Sequence, residues 1–473
     1  MVKDDAAAKP AIAGSRSALL YLVGSLLQGL GLLLIQPFAV RVLDGTQWGL
    51  VSTAVVTIQV VVVLLSAGLP LAITQRWFAP GNGRDRSLGM YGFMAIACLA
   101  IGLAAAAVVA FATGAGGTGI AWTTVLAMVC IGLLGPVLGC QAVLRAQDRP
   151  MAFVLLSIGS SVLANLAGLV AIAVGTPTAA NYLGAYTAAV LATALLAVVL
   201  VRPRAPWTVK GVVGESGRIA LPLLPHTGAL MLLTQGAVLL LAAVSGPATA
   251  GQYGAVLIFA TGPLTVLNAL NNSWSTRIMS VGRDELGPTL RAVLVEAALS
   301  AAAVGMLASA AASVGSAVLT TDPTLLAPVA QVLPLMSVGY AAFLIAGNVV
   351  YVLHRTTMMA YLTPAALLLS SGAALVPALA GDLLAVAAAH AAGFTVLGLA
   401  YWLAVRAATP GAWPMKVFVL AFAAHAALIV VLLLVPVSLA TGLVEAGVVG
   451  AGAAAAALLV VKRRRIVEPS PAN

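Results

Sequence analysis

The chain has 473 residues, of which 62% are hydrophobic and only 8% charged, with a mean hydropathy of +1.09. A soluble domain carries roughly 25% charged residues, so this composition cannot cover a water-facing surface and describes a polytopic membrane protein. The net charge of +10 lies in short connectors, which reads as membrane orientation and excludes a nucleic-acid-binding role.

The opening MVKDDAAAKPAIAGSR is polar, and the apolar run after it reaches about residue 40. That run is too long for a signal-peptide core and lacks a convincing cleavage site, so it reads as a retained first span. A transmembrane helix needs ~20 apolar residues. Runs of that kind recur at 17–40, 50–75, 88–113, 121–144, 151–174, 180–201, 219–244, 252–276, 292–319, 327–353, 358–379, 383–405, 415–437 and 440–461, about 14 spans in all. Alternating strand-like segments of about ten residues are absent, which excludes an outer-membrane barrel. Cys98, Cys130 and Cys140 fall inside apolar runs and read as buried, inert thiols.

With the N-terminus placed inside, every Lys and Arg except Arg41 falls on the inner side. A wrong span count would scramble that alternation, so the positive-inside rule supports the count and places both termini in the cytoplasm of a cell-membrane protein. The Lys462–Arg465 cluster directly after the last span reads as a topology anchor that touches anionic lipid head groups.

The connector between spans one and two, RVLDGTQWGL, has a counterpart between spans seven and eight, VSGPATAGQYGAV. Gln47-Trp48-Gly49 matches Gln252-Tyr253-Gly254, and six spans separate the two elbows. Because six is even, both copies run in the same direction, which predicts a parallel repeat about an axis along the membrane normal. RPMAFVLLSIGSS and TMMAYLTPAALLLSS form a weaker echo after spans four and ten. The organisation expected is an N-lobe at 1–201 (spans one to six), a cytoplasmic connector at 202–218, a C-lobe at 219–405 (spans seven to twelve), and two further spans with a basic tail at 406–473.

The stretch GSLLQGLGLLLIQPFAVRVLDGTQWGLVSTAVVTIQVVVVLLSAGLPLAITQRW resembles the opening hairpin of polysaccharide flippases. These belong to the multidrug/oligosaccharidyl-lipid/polysaccharide (MOP) exporter superfamily, with its MATE-like fold. The leucine- and glycine-rich first span, Gly45, the Trp48-Gly49 elbow and SAGLPLAITQRW carry the likeness, and GQYGAVLIFATGPL looks like the second-lobe counterpart. The resemblance implies two six-helix lobes around a cavity lined by spans one, two, seven and eight, and alternating access by rocking of one lobe against the other. It implies an undecaprenyl-pyrophosphate-linked oligosaccharide as cargo, and a polysaccharide polymerase or glycosyltransferases as partners. There are departures. Many relatives carry an acidic residue in span seven, where this chain reads LLTQGAVLLLAA. Fourteen spans exceed the twelve common in the branch; lipid II flippases have fourteen but tend to place arginines in span one, and here none lies between Arg16 and Arg41.

A flippase needs a wet, hydrogen-bonding groove for a sugar-pyrophosphate head, and no catalytic constellation. Thr261, Thr265, Asn268, Asn272 and Ser275, with Asn271 beside them, follow helical spacing along span eight. A polar stripe facing lipid would lack partners, so it faces either a cavity or a neighbouring helix. Ser52, Gln59 and Ser66 in span two, Gln28 and Gln36 in span one, and His226 and Gln235 in span seven complete the cavity candidates; His226, near a span end, is read as either an interfacial residue or a proton carrier. Arg76 and Arg277 end spans two and eight in equivalent positions and are the pyrophosphate candidates, although positive-inside residues occur there anyway. Arg41 breaks the orientation bias and reads either as an outer gate with Asp44 or as a local ion pair. No carboxylate lies at mid-membrane in spans one, two, seven or eight; Glu296 and Glu445 are the deepest. That argues against an ion-coupled multidrug antiporter, the runner-up, and no metal site or cofactor is read; sodium or proton coupling would have no assigned site. A membrane-embedded enzyme would need clustered acid, base or metal ligands. The outer connectors offer only Arg41, Asp44, Asp322 and Asp382 as charged residues.

Overall fold

The structure, a computed structural model, describes residues 15–114, 119–281 and 283–452. The basic cluster at 462–465 and the polar N-terminus lie outside those residues. Among the described residues every regular element is a helix.

Helix α1 (Ser15–Val42) is span one; α2 (Gly45–Ser66) and α3 (Leu69–Trp77) form span two, broken where Ala67 and Gly68 take φ values of 21° and 77°. Helices α4 (Gly83–Thr113) and α5 (Gly119–Ala146) are spans three and four. Span five consists of α6 (Pro150–Ser157) and α7 (Ala164–Val174), joined through a π-helical turn at Ile158–Leu163, and α8 (Ala179–Leu200) is span six. Helix α9 (Val212–Val244) is span seven; α10 (Pro247–Val256) and α11 (Ile258–Met279) form span eight, bent by 43°. The chain continues through α12 (Arg283–Leu319), α13 (Pro323–Val332), α14 (Met336–Val352), α15 (Met359–Leu379), α16 (Leu383–Val405) and α17 (Met415–Leu434). Among the described residues, twelve helical segments are long and apolar enough to cross a membrane, and the bent pair makes a thirteenth. A shorter apolar helix, α18 (Leu439–Gly452), stands at the start of the expected fourteenth span, whose remainder lies outside the described residues.

The carboxylates expected on the outer side have a local explanation. Asp44 accepts from Gln47 N at 2.8 Å, Asp322 from Leu325 N at 3.1 Å and Asp382 from Ala385 N at 3.0 Å. Each therefore caps the first turn of a helix, where an acceptor meets unpaired N–H groups and the positive end of the helix dipole.

The chain packs as two compact units. One holds the residues up to Ile35 and Val61–Leu221; the other holds Gln36–Val60 and the chain from Pro222 onward. In the first, Met90, Tyr91 and Met94 of α4 pack with Val137, Cys140 and Leu144 of α5 in a fully buried layer, and all three cysteines are buried free thiols. Helix α1 enters this unit through small residues. A Cβ on Gly31 would lie 2.1 Å from Ser161 Oγ and 2.9 Å from the Ser161 carbonyl carbon, and Ser161 Oγ donates to Gln28 O at 2.8 Å. Close backbone approach, with small and hydroxylated residues in contact, is how helices associate without a water-driven hydrophobic term. In the second unit α14 is the central helix, buried along nearly its whole length. It crosses α16 through a glycine pair: Cβ atoms on Gly339 and Gly398 would lie 2.4 Å from Phe394 O and Gly339 O respectively.

Gly31→Ala forces a methyl into Ser161 and is expected to cost about 1–3 kcal/mol through overpacking, read as a lower unfolding temperature in detergent. Gly29→Ala, with nothing within 4 Å of its Cβ position, serves as control. Equal melting of the two variants would refute this packing.

Candidate functional site

Helix α11 has two chemically distinct sides. Pro263, Leu264, Leu267, Trp274 and Ile278 are buried against the second unit. Thr265, Asn268 and Asn272 are exposed, with Thr261 and Ser275 half-buried beside them. The stripe read from the sequence is thus the uncovered side of the helix. Hydrocarbon supplies no hydrogen-bond partner for such a face, so its polarity fits contact with water or a polar solute. Part of it is held from behind by α14: Tyr340 Oη donates to Asn268 Oδ1 and Asn348 Nδ2 to Asn271 Oδ1, each at 2.9 Å. The side chain of Asn272 makes no hydrogen bond among the described residues. Tyr340 and Asn348 went unnamed from sequence, although two polar groups eight residues apart share a helix face and could have signalled it.

The other polar candidates divide. Gln59 is exposed and Gln28 and Gln235 are half-buried. Gln36, expected on the cavity wall, is instead 3% exposed, its amide donating to Ala255 O at 2.7 Å and Leu319 O at 3.2 Å. It is a brace, because a buried amide nitrogen takes carbonyl acceptors wherever they lie within reach. The span-two stripe splits likewise: Ser52 and Ser66 are buried, unlike Gln59. His226 Nδ1 lies 2.8 Å from Thr363 Oγ1, which lies 2.8 Å from Tyr401 Oη. A second intramembrane histidine, His390, meets Tyr253 of the second elbow at 2.8 Å through Nδ1 and Leu233 O at 2.6 Å through Nε2. The carbonyl only accepts, so Nε2 carries hydrogen and donates to it.

Both phosphate candidates already face carboxylates. Arg76 pairs with Glu215, whose other oxygen lies 3.5 Å from Arg86 Nε. Arg277 pairs with Glu296 at 2.7 Å, and Glu296 also accepts from Trp274 Nε1 at 3.1 Å. Each guanidinium has five donors, so an anion could share the site without displacing the carboxylate. Arg41 forms no ion pair with Asp44 among the described residues; its Nη1 donates to Pro37 O and, at 3.1 Å, to Val318 O. The local pair considered from sequence is replaced by carbonyl contacts for Arg41 and a helix cap for Asp44.

The repeated elbows pack against each other within the second unit. A Cβ on Gly49 would lie 1.7 Å from Pro247 O, and one on Gly251 would lie 2.7 Å from Gly49 Cα. Gly254 meets Ser52, with Cβ and Oγ both 3.1 Å from its own Cβ position. Trp48 is buried in the same seam, and Trp48 Nε1, Ser52 Oγ and Thr53 Oγ1 are buried without a hydrogen-bond partner. Leaving such groups unpaired costs ~1–3 kcal/mol each. The seam is therefore sterically close but chemically incomplete.

The polysaccharide biosynthesis protein family matches residues 15–275, more than half of the chain. The chain belongs to that family. Its fold is that of the MOP superfamily. A lipid II flippase, MurJ, in an inward closed conformation superposes with a TM-score of 0.64 at 12% identity, over 95% of this chain and 100% of that one. A MOP superfamily transporter from Pyrococcus furiosus gives 0.59 at 13% identity, over 85% and 96%. An inward-facing multidrug resistance MATE family transporter gives 0.54 at 14%, over 83% and 95%. No curated protein matches the sequence. This polysaccharide biosynthesis family member is thus a multi-pass helical membrane protein with the MATE-like fold.

Gly49→Ala inserts a methyl where Pro247 O stands, and overpacking of about 1–3 kcal/mol should unseat the elbow. With Ser52→Cys as reporter, labelling by a charged maleimide in detergent is expected to accelerate by about tenfold in the Gly49→Ala background, since ~1.4 kcal/mol corresponds to that factor. Unchanged labelling would mean the seam tolerates the methyl and is loosely packed.

Proposed function

We propose that this protein moves an undecaprenyl-pyrophosphate-linked oligosaccharide from the inner to the outer leaflet of the cell membrane, by alternating access, during surface polysaccharide assembly. The exposed polar face of α11 carries this reading. Threonine hydroxyls and asparagine amides both donate and accept hydrogen bonds, as sugar hydroxyls do, and they carry no charge to bind one ion tightly. Family membership supports a glycan cargo. The lipid tail can remain in the bilayer, so only the polar head needs the α11 face.

Arginines at Arg76 and Arg277 would greet the pyrophosphate on the cytoplasmic side, which the distribution of Lys and Arg assigns to both termini. Anionic lipids fit the basic cluster at 462–465, and a polymerase or glycosyltransferases would work on either side of the transport step. The elbow seam supports alternating access, because the two unpaired polar groups shown at it, Trp48 Nε1 and Ser52 Oγ, are a cost that separation and hydration would relieve. A drug antiporter is less well supported. Glu296, on α12, is tied to Arg277 and Trp274, and Glu445, on α18, accepts from Ser313 Oγ at 3.0 Å, so the deepest described carboxylates lie outside α1, α2, α9 and α11 and are held by structural partners.

A strain lacking this protein is expected to accumulate lipid-linked repeat units on the cytoplasmic leaflet, restored by the unaltered chain. The triple variant Thr265→Val, Asn268→Leu, Asn272→Leu should reach the membrane yet restore less than about a tenth of surface polysaccharide, since several hydrogen bonds of ~0.5–1.5 kcal/mol are lost together. Normal polysaccharide with new drug sensitivity in the deletion strain would favour the antiporter, and accumulation of lipid II would favour a peptidoglycan precursor.

A further inference from the structure

Gln28 is one of the cavity candidates on span one. The first unit supplies the reason for its orientation. The π-helical turn at Ile158–Leu163 lies against α1 where Ser161 Oγ donates to Gln28 O. Turns of this kind insert an extra residue into a helix and frequently mark functional positions. One residue before it, Ser157 donates its only hydrogen to Phe153 O at 3.0 Å, so its oxygen is left to accept. The donor is Gln141 Nε2 on α5, at 3.0 Å. The same Gln141 nitrogen lies 3.3 Å from Gln28 Oε1.

Gln141 is 2% exposed and its amide nitrogen has two hydrogens. Ser157 receives one and Gln28 Oε1 the other. The Gln28 carboxamide therefore has its oxygen turned inward, and its –NH2 has no partner among the described residues. Gln28 itself is only half-buried. We propose that Gln141 is a positioning residue that locks Gln28 as a two-hydrogen donor for oxygen acceptors of the cargo head, in the first instance the pyrophosphate. This rests on the flippase reading above. Buried Ser157 sets Gln141, Gln141 sets Gln28, and Gln28 touches the cargo. Without the lock a glutamine amide presents oxygen and nitrogen about equally, and an oxygen repels phosphate.

The test uses the full-length protein in detergent with undecaprenyl pyrophosphate as ligand, binding followed by native mass spectrometry and melting followed in parallel. Gln28→Glu keeps the inward acceptor but turns an anion outward; it is expected to melt with the unaltered protein and to bind about tenfold more weakly or worse. Gln28→Met removes the acceptor that Gln141 needs and should melt lower. Gln141→Met frees the Gln28 amide to flip, halving the competent population and weakening binding about twofold. Gln141→Glu reverses the lock, turns the Gln28 oxygen outward and should weaken binding about tenfold. A merely structural Gln141 would make affinity follow melting temperature across the set, and that correlation would overturn the proposal, as would Gln28→Glu binding at full strength. If the unaltered protein binds no undecaprenyl pyrophosphate, the flippase reading falls; the amide orientation is then decided by melting alone, where Gln28→Glu falling as far as Gln28→Met would overturn it.

Discussion

Hydrocarbon offers no hydrogen-bond partner, and most of what is distinctive here follows from how the chain meets that constraint. Polar groups inside the spans are treated in two ways. Gln36, Gln141, Asn165 and His390 are buried and tied to carbonyls or to other polar side chains. Thr265, Asn268 and Asn272 are left uncovered along one side of α11 while the opposite side is packed. The first treatment glues helices that have no water-driven force between them. The second is tolerable only where something other than lipid meets the helix, which is why it carries the proposed cargo surface.

The same constraint shapes the elbows. Docking Gly49 and Ser52 against Pro247, Gly251 and Gly254 brings backbones to a distance no side chain would permit. The two copies of the motif are not chemically equal. Tyr253 finds His390 for its hydroxyl, whereas Trp48 Nε1 is enclosed without a partner. A seam that is close in shape but incomplete in hydrogen bonds is what the proposed alternating access would use, because opening would restore to water what closure withholds.

Charge follows a simpler logic. Asp44, Asp322 and Asp382 cap helices, and the glutamates at 215 and 296 pair with arginines. Neither set is left over to hold an ion in the helices that carry the polar face. On the function proposed above, recognition of cargo would rest on neutral amides and hydroxyls, whose direction matters more than their number: an amide is a donor on one side and an acceptor on the other, so whatever fixes its rotation fixes its specificity.

The sequence by itself determined the class, because 62% hydrophobic residues in recurrent runs of about twenty leave no alternative to a helical membrane protein. It also determined the order of the spans, the elbow motif and the polar stripe of α11, since hydropathy and helical spacing are local properties of the chain. It misassigned Gln36, and it made an ion pair one option for Arg41 and Asp44, because spacing tells which residues share a face but not what stands opposite. Only the tertiary structure decided that the two elbows meet glycine to carbonyl, that residues 36–60 pack with the second unit, and that Gln141, 113 residues away in sequence, donates to the side chain of Gln28. Those outcomes depend on contacts between distant segments, and no periodicity along one helix encodes its neighbour.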